Sequence, residues 1–172
     1  KFTPDSLTIA GFVLNLVAGV LIALGQVFWG GFVMTFIAMP LDGLDGPLAR
    51  ATGKQGKWGA FLDSTLDRYA ESEILIGLCW HYQNQRAEWM VLASTLAIVG
   101  SLMVSYSRAK AESLGLHGEV GLFSRFGRFV LLVFGTLIGA FFPLVLDAAL
   151  VALAALSNVT AIQRMRYVAK NT

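Results

Sequence analysis

Four aspartates in an otherwise apolar sequence are the residues best able to do chemistry. Asp42 and Asp45 are three residues apart, and Asp63 and Asp67 are four apart, so each pair would project from one face of its own helix. An ionised carboxylate is costly at membrane depth or in a dry core unless it is paired, hydrated or bound to a cation. The two pairs therefore need a common explanation, and a bound cation supplies one.

The chemistry that these carboxylates predict is the binding of a hard divalent cation such as Mg²⁺, Mn²⁺ or Ca²⁺. No histidine or cysteine accompanies them to favour zinc. Glycines and polar residues between the pairs predict a turn that brings the two helices face to face; they are Gly53, Lys54, Gln55, Gly56, Lys57 and Gly59. We therefore predict a two-cation site held by Asp42, Asp45, Asp63 and Asp67.

The helix face of the first pair continues with almost no side-chain bulk. Gly46 and Ala49 follow Asp42 at i+4 and i+7, so a large ligand would have room to lie flat against this face. Arg50 and Lys54 come at its end. A guanidinium beside cation-binding carboxylates suits a phosphate or diphosphate, so these residue types predict a phosphate-containing substrate.

A second group of basic residues lies further along the chain. Arg108 and Lys110 precede a glycine-containing turn at residues 115–121. Arg125 and Arg128 follow this turn and share a face of the next helix. Cations from two helix ends can converge on one anion such as a phosphate. The alternative is the positive-inside rule, by which any cytoplasmic loop of a membrane protein gathers lysine and arginine.

The composition requires that membrane-spanning helices position these groups. The chain has 172 residues, of which 56% are hydrophobic and 14% charged, and its mean hydropathy is +0.65, which is too apolar for an ordinary soluble domain. A spanning helix needs roughly 20 residues, so we expect an all-α integral membrane protein with about six transmembrane helices. We expect residues 1–172 to form a single domain. The small net charge of +2 gives no support to nucleic-acid binding.

Apolar stretches and turn residues predict where the helices lie. The expected helices cover about 4–26, from about 31 into the aspartate motif, and about 58–82, 88–114, 125–141 and 143–168. Residues 27–31, which read VFWGG, are expected to form a tight turn, and Pro40 or Pro47 is expected to kink the second helix. Asp147 is expected to cap the start of the sixth.

Lysine and arginine also predict an orientation. Twelve of the 13 share one side if Lys1 and the regions 50–68, 108–128 and 164–170 lie there, which leaves Arg86 on the other. The positive-inside rule assigns the basic side to the cytoplasm. We therefore expect a multi-pass protein of the cell membrane with its polar active site near the cytoplasmic side.

The spacing of the first motif resembles the signature of the CDP-alcohol phosphotransferases, integral-membrane enzymes that build phospholipid head groups. The matching positions are Asp42, Asp45, Gly46, Ala49, Arg50, Gly59, Asp63 and Asp67. The resemblance implies transfer of a phosphatidyl or archaetidyl group from a CDP-linked lipid to an alcohol, with release of CMP. It implies two Mg²⁺ or Mn²⁺ ions as cofactors, and it assigns proton abstraction to Asp67.

The resemblance also implies where the CDP-linked lipid binds. The implied contacts are Asp5, Ser6, Leu7, Thr8, Gly46, Ala49, Arg50, Gly56 and Gly59. For residues 5–8 a plain helix N-cap is the alternative interpretation. The lipid tails would extend into the bilayer, and the family is commonly homodimeric.

The second polar region is similar to the phosphatidylinositol-phosphate synthase branch and its archaeal ether-lipid relatives, where basic residues hold the phosphate of inositol phosphate. The positions that match are Arg108, Lys110, Arg125 and Arg128. Gly127 stands where the branch commonly has an acidic residue, and Gly56 where it commonly has a hydroxyl residue. The acceptor is therefore expected to be inositol phosphate, with glycerol 3-phosphate or another alcohol as the alternative. The resemblance implies CDP-diacylglycerol or its ether-lipid analogue as the donor.

An ion-coupled transporter or channel is the alternative from another class, because it also places carboxylates at membrane depth. It would not need Gly46, Ala49 and Arg50 around them, nor a second cationic group on the same side. A purely structural membrane module would only be destabilised by buried acids. The sequence therefore favours an enzyme.

Overall fold

The computed structural model describes residues 3–54 and 56–171, and the regular secondary structure in these ranges is helical throughout. The six helices are α1 (Pro4–Ala23), α2 (Val27–Thr52), α3 (Lys57–Asn84), α4 (Glu88–Ser113), α5 (Arg125–Gly139) and α6 (Pro143–Asn171). The prediction of an all-α fold is confirmed. Lys1 and Gln55, which entered the predictions of orientation and of the turn, lie outside the described residues.

Four of these helices, α1, α2, α4 and α6, are long and apolar enough to cross a membrane. The other two differ from them for separate reasons. Helix α3 has 28 residues but includes the charged side chains of the second aspartate pair. Helix α5 has 15 residues, which at about 1.5 Å per residue is shorter than a hydrocarbon core of about 30 Å.

The turn between α1 and α2 lies earlier than the sequence predicted. Gly25 has a φ of +85°, in the left-handed region that glycine adopts without strain. Gly30 and Gly31 are buried inside α2 instead of forming a turn. A Cβ at Gly30 would lie 2.7 Å from the carbonyl oxygen of Ala18 on α1. The prediction of a turn at residues 27–31 was wrong because these residues are helical and Gly30 permits close packing against α1.

Helix α2 contains a π-helical stretch at Val33–Ala38, where the N–H of Met39 donates to the carbonyl of Met34, five residues back. The stretch ends just before Pro40, whose ring nitrogen has no proton to donate. Pro47 is also accommodated within the helix. Where the sequence predicted a proline kink, the helix has a wider π-helical turn shortly before the first aspartate pair.

The chain forms two compact units, Lys1–His81 and Tyr82–Thr172. In the first, α1 packs on α2 and crosses α3 at two glycines. A Cβ at Gly19 would lie 2.7 Å from the carbonyl oxygen of Glu73, and a Cβ at Gly77 would collide with the carbonyl oxygen of Gly19. The absence of side chains at the crossing therefore sets how closely α1 approaches α3. Ile22, Ile74, Leu75 and Leu78 are buried in this unit.

In the second unit, α4 and α5 both pack on α6. Asn158 of α6 donates to the carbonyls of Leu96 on α4, at 2.9 Å, and of Ala154, at 2.8 Å. Asp147 accepts a hydrogen bond from the Tyr82 hydroxyl at 2.5 Å. It lies beyond the first residues of α6, so the prediction that it caps this helix was wrong. The prediction of one domain over residues 1–172 stays a prediction.

Candidate active site

Three of the four motif aspartates converge. One carboxylate oxygen from each of Asp42, Asp63 and Asp67 lies within 4.8 Å of the other two, and all three residues are partly buried. Two oxygens on opposite sides of a divalent cation are about 4–5 Å apart, twice the usual metal–oxygen distance. The three carboxylates therefore fit a shared cation.

The chain reversal between α2 and α3 makes this convergence possible. Gly53 ends α2 with a φ of +65°, a conformation in which a residue with a side chain would be strained. The N–H of Lys54 then donates to the carbonyl of Ala49 at 3.0 Å, which closes the helix end. The left-handed conformation of Gly53 thus ends α2 and allows the chain to reverse, so that α2 and α3 face each other as predicted.

Asp45 has a different partner. The cluster found among the described residues does not include it, and its Oδ2 accepts a hydrogen bond of 2.6 Å from the hydroxyl of Thr8 on α1. Thr8 is buried, with 5% of its surface exposed. One turn further on α1, a Cβ at Gly11 would lie 3.6 Å from the Cβ of Asp42. Helix α1 therefore lies against both aspartates of α2.

The side chain of Asp67 is enclosed, because only 6% of it is exposed. An Nη1 atom of Arg68 lies 3.7 Å from its Oδ2 and donates to the carbonyl of Ser64. Enclosure lowers the local dielectric, which strengthens every charge interaction at this carboxylate.

The glycines of the motif differ in what lies beside them. The Arg50 side chain folds back along α2, and its Nη1 would lie 3.5 Å from a Cβ at Gly46. A Cβ at Gly59 on α3 would lie 3.8 Å from Oδ1 of Asp5 on α1, whereas one at Gly56 would meet nothing within 4 Å. The start of α1 and the start of α3 are therefore neighbours.

The capping interpretation of the α1 start is correct for Ser6. Its N–H donates to the Thr3 hydroxyl at 3.2 Å, and its own Oγ accepts from the Thr3 N–H at 3.0 Å. This reciprocal capping box uses the Ser6 hydroxyl to hold the helix end. Contacts of Asp5, Ser6, Leu7 and Thr8 with a nucleotide stay a prediction.

In the second unit, Arg108 is held by two carboxylates. Its Nε donates to Glu112 on the same helix and its Nη2 to Glu119 in the loop between α4 and α5, each at 2.8 Å. The loop lies directly on this arginine, because a Cβ at Gly118 would be 2.8 Å from the Arg108 Cγ. Lys110 is two residues further on and so projects from another side of α4.

Arg164 is a basic residue that the sequence analysis assigned only to the positive side of the membrane. It is buried on α6, its Nε donates to the Val120 carbonyl at 2.7 Å, and its Nη1 donates to the Val104 carbonyl. It lies within electrostatic range of Arg108 and Arg128. The structure therefore groups three arginines from α4, α5 and α6.

The two basic residues of α5 have different environments. Arg128 is almost fully buried, with 2% of its surface exposed, whereas Arg125 is exposed at the first position of the helix. Ser124 caps this helix, since its Oγ accepts from the Gly127 N–H at 3.3 Å. Gly127, which stands where an acidic residue was expected, packs against the Phe123 ring. A Cβ at this position would lie 2.9 Å from that ring.

Comparison with known proteins identifies the family of this chain. A family model described as CDP-alcohol phosphatidyltransferase matches residues 1–163. The chain is 37% identical over 171 residues to the phosphatidylinositol phosphate synthase of Mycobacteroides abscessus. The aligned region covers 97% of this chain and 77% of the relative. It is 38% identical over 165 residues to the archaetidylinositol phosphate synthase of Methanothermobacter thermautotrophicus. That aligned region covers 95% of this chain and 82% of the relative.

Solved structures are similar over nearly the whole chain. The phosphatidylinositol phosphate synthase of Mycobacterium tuberculosis with CDP-DAG bound matches with a TM-score of 0.92 and 32% identity, covering 98% of this chain and 87% of that one. The same enzyme in complex with manganese and citrate also matches with a TM-score of 0.92, at 32% identity and with coverage of 97% and 82%. The transporter alternative is therefore set aside in favour of a membrane transferase of phospholipid synthesis. This chain belongs to the CDP-alcohol phosphatidyltransferase family.

Proposed function

We propose that this enzyme transfers the phosphatidyl or archaetidyl group of a CDP-linked lipid to a hydroxyl of inositol phosphate. A bond forms between the acceptor oxygen and the lipid-side phosphorus, the bond from that phosphorus to the bridging oxygen of the diphosphate breaks, and CMP leaves. The observation that carries the proposal is the convergence of Asp42, Asp63 and Asp67 within 4.8 Å. The names and the 37% and 38% identities of the two relatives support the acceptor.

The aspartates fit divalent cations, and we assign Asp42, Asp45, Asp63 and Asp67 to two Mg²⁺ or Mn²⁺ ions. Only carboxylate oxygens face one another in the cluster, which is the ligand chemistry that these hard ions prefer. A related enzyme was crystallised with manganese. When bound, the ions neutralise the diphosphate, make the lipid-side phosphorus more electrophilic and stabilise the departing CMP.

The residues around the aspartates would bind the donor. The exposed guanidinium of Arg50, folded over Gly46, would hold diphosphate oxygens. Gly46, Ala49, Gly56 and Gly59 leave room for the nucleotide against α2 and α3. A related enzyme has been solved with CDP-DAG bound, which supports a diacylglycerol donor here.

Asp67 would take the proton of the attacking hydroxyl. Only 6% of its side chain is exposed, so bulk water is kept from competing as the acceptor. A carboxylate beside cations is a weak base, so its position relative to the hydroxyl must supply much of the effect.

Arginines of the second unit would bind the acceptor phosphate. Arg164 lies within electrostatic range of both Arg108 and Arg128, and Glu112 and Glu119 offset part of this positive charge. A bound phosphate dianion would offset more of it. Arg125 would complete the proposed set from the exposed side, whereas the role of Lys110, which projects from another side of α4 than Arg108, stays a prediction. Glycerol 3-phosphate would use the same cations, whereas an uncharged alcohol would not.

The enzyme would work in the cell membrane with its polar groups on the cytoplasmic side, where nucleotides and sugar phosphates are dissolved. Four helices that are long and apolar enough to span support a multi-pass arrangement, and the distribution of lysine and arginine supports the orientation. A homodimer, which the family resemblance implies, is part of the same proposal.

Release of CMP by purified enzyme tests the function. CDP-diacylglycerol and Mg²⁺ are supplied with inositol 1-phosphate, with glycerol 3-phosphate, or with free inositol. We expect release with inositol 1-phosphate alone. Release with glycerol 3-phosphate and not with the other two would make glycerol 3-phosphate the acceptor in place of inositol phosphate. Release with free inositol would overturn the phosphate-binding role of the arginines.

A matched variant separates the acceptor pocket from the donor site. Arg125→Ala removes one exposed cation at the start of α5, so we expect a higher KM for inositol phosphate, by about fivefold or more, with an unchanged KM for the CDP-lipid. Arg86→Ala, at the other membrane side by the predicted orientation, is the control and should change neither constant. An unchanged acceptor KM in Arg125→Ala would exclude this residue from the pocket.

A further inference from the structure

The hydroxyl of Thr8 has a single proton and two acceptors within reach. The Oδ2 of Asp45 is 2.6 Å away, and the carbonyl oxygen of Pro4 is 3.2 Å away. A distance of about 2.5–2.7 Å is typical of a hydroxyl that donates to an ionised carboxylate, and such bonds are roughly twice as strong as neutral ones. The proton of Thr8 is therefore directed at Asp45.

The position of this hydroxyl is fixed by packing. Thr8 is 5% exposed. One turn later α1 is close to α2, since a Cβ at Gly11 would be in ordinary van der Waals contact with the Ala38 carbonyl oxygen at 3.5 Å and the Asp42 Cβ at 3.6 Å. A hydroxyl on a rigid, close-packed helix face keeps its partner in one orientation. Thr8 thus reaches Asp45 from a helix that supplies no carboxylate to the cluster.

We propose that Thr8 is a positioning residue for the cation site. Its hydroxyl holds Oδ2 of Asp45, which fixes the plane of the carboxylate and leaves Oδ1 to reach a cation beside Asp42, Asp63 and Asp67. This inference rests on the proposed cation site. It gives the Thr8 side chain a role distinct from the nucleotide contact that the family resemblance implies for residues 5–8.

Loss of a hydrogen bond that orients a metal ligand typically lowers metal affinity by about 10–100-fold. We therefore expect Thr8→Val, which keeps the shape of the side chain but removes the hydroxyl, to weaken Mn²⁺ binding by about tenfold. Thr8→Ser, which keeps the hydroxyl, should bind Mn²⁺ nearly as the wild type does. Thr8→Ala removes the same hydroxyl without adding a methyl group beside Asp45, so it should repeat the loss.

The experiment is a titration of purified protein with Mn²⁺, in which electron paramagnetic resonance reports the free ion. It needs no substrate and no turnover. Thr52→Val is the matched control, because the Thr52 hydroxyl donates to the Leu48 carbonyl at 2.7 Å on the exposed side of α2 and touches no carboxylate that we describe. This control should bind Mn²⁺ as the wild type does.

A double-mutant cycle tests whether Thr8 acts through Asp45. In an Asp45→Ala background, adding Thr8→Val should cause no further loss of Mn²⁺ affinity. An equal loss in both backgrounds, or full affinity in both Thr8→Val and Thr8→Ala, would overturn the positioning role while leaving the cation site intact. If the wild type itself bound no Mn²⁺, the cation site of the proposed function would fail first.

Discussion

At the scale of single residues, the proposed chemistry depends most directly on Asp67. Asp67→Asn keeps the size of the side chain but removes its charge and its ability to accept a proton. Loss of a general base typically costs about 10²–10⁴-fold in rate, so we expect the rate of CMP release to fall by at least 100-fold. Binding of CMP, measured by its effect on the thermal unfolding temperature, should persist through the remaining donor-site residues.

The control for this prediction is the same chemical change at another carboxylate. Asp147→Asn still presents an oxygen to the Tyr82 hydroxyl, its partner at 2.5 Å, and lies outside the proposed site. We expect this variant to keep the wild-type rate within about twofold, as is usual for changes away from the chemistry. Turnover by Asp67→Asn at a similar rate would remove Asp67 from the role of base.

Which residues can be predicted from sequence follows from how far their partners lie along the chain. The aspartates were recognisable because acids are anomalous in an apolar sequence, and their spacing places them on two helix faces. The role of Arg164 was not recognisable, because its hydrogen-bond partners Val120 and Val104 are 44 and 60 positions away along the chain. The bond from Thr8 to Asp45 crosses 37 positions. Such contacts depend on helix packing, which a local pattern does not contain.

At the scale of helices, the sequence predicts existence better than detail. The six predicted ranges each correspond to one helix, since apolar stretches and breakers are local signals. Two details were missed. Gly30 packs against α1 instead of forming a turn, and the π-helical stretch at Val33–Ala38 became visible only in the structure. The first reflects how closely α2 approaches α1, and the second lies just before Pro40, whose nitrogen has no proton to donate.

The crossing of α1 and α3 gives a prediction about stability. Gly77→Ala would place a methyl group against the carbonyl oxygen of Gly19, and a backbone atom has no rotamer by which to move away. Overpacking of this kind costs about 1–3 kcal/mol, so we expect a lower thermal unfolding temperature. The change should be detectable in purified protein by the unfolding temperature alone.

Gly43→Ala is the matched control for this crossing. A Cβ at Gly43 meets nothing within 4 Å, and alanine is favoured over glycine inside a helix by up to about 1 kcal/mol. Its unfolding temperature should therefore equal or exceed that of the wild type. If Gly77→Ala were as stable as Gly43→Ala, the close approach of α1 to α3 would be wrong.

At the scale of the whole molecule, the proposed function requires that the polar groups face the compartment that holds the soluble acceptor. Twelve of the 13 lysines and arginines are assigned to that side by sequence, and Arg86 is assigned to the other. Arg86 lies in the turn between α3 and α4, with a φ of +58°. Because α4 has 26 residues and is a candidate span, its two ends should lie on opposite sides of the membrane.

Single cysteines at the two ends of α4 test this orientation. In a Cys79→Ser background, Gln85→Cys lies in the exposed turn before α4, and Ser113→Cys lies at its exposed last residue. A membrane-impermeant maleimide added to intact cells should label Gln85→Cys and spare Ser113→Cys. In inverted membrane vesicles the pattern should reverse.

The reversed pattern in intact cells would place Arg108, Arg128 and Arg164 on the outside, away from soluble inositol phosphate, and would contradict the proposed acceptor. Labelling of both cysteines from one side would mean that α4 does not cross the membrane. Labelling as expected would place the start of α4, next to Gln85, on the outer side of the membrane. The end of α4 and the turn after Ser113 would then lie on the cytoplasmic side. Because that turn leads to Glu119 and on to Arg125, the basic residues of the proposed acceptor pocket would then meet the phosphate from the cytoplasm.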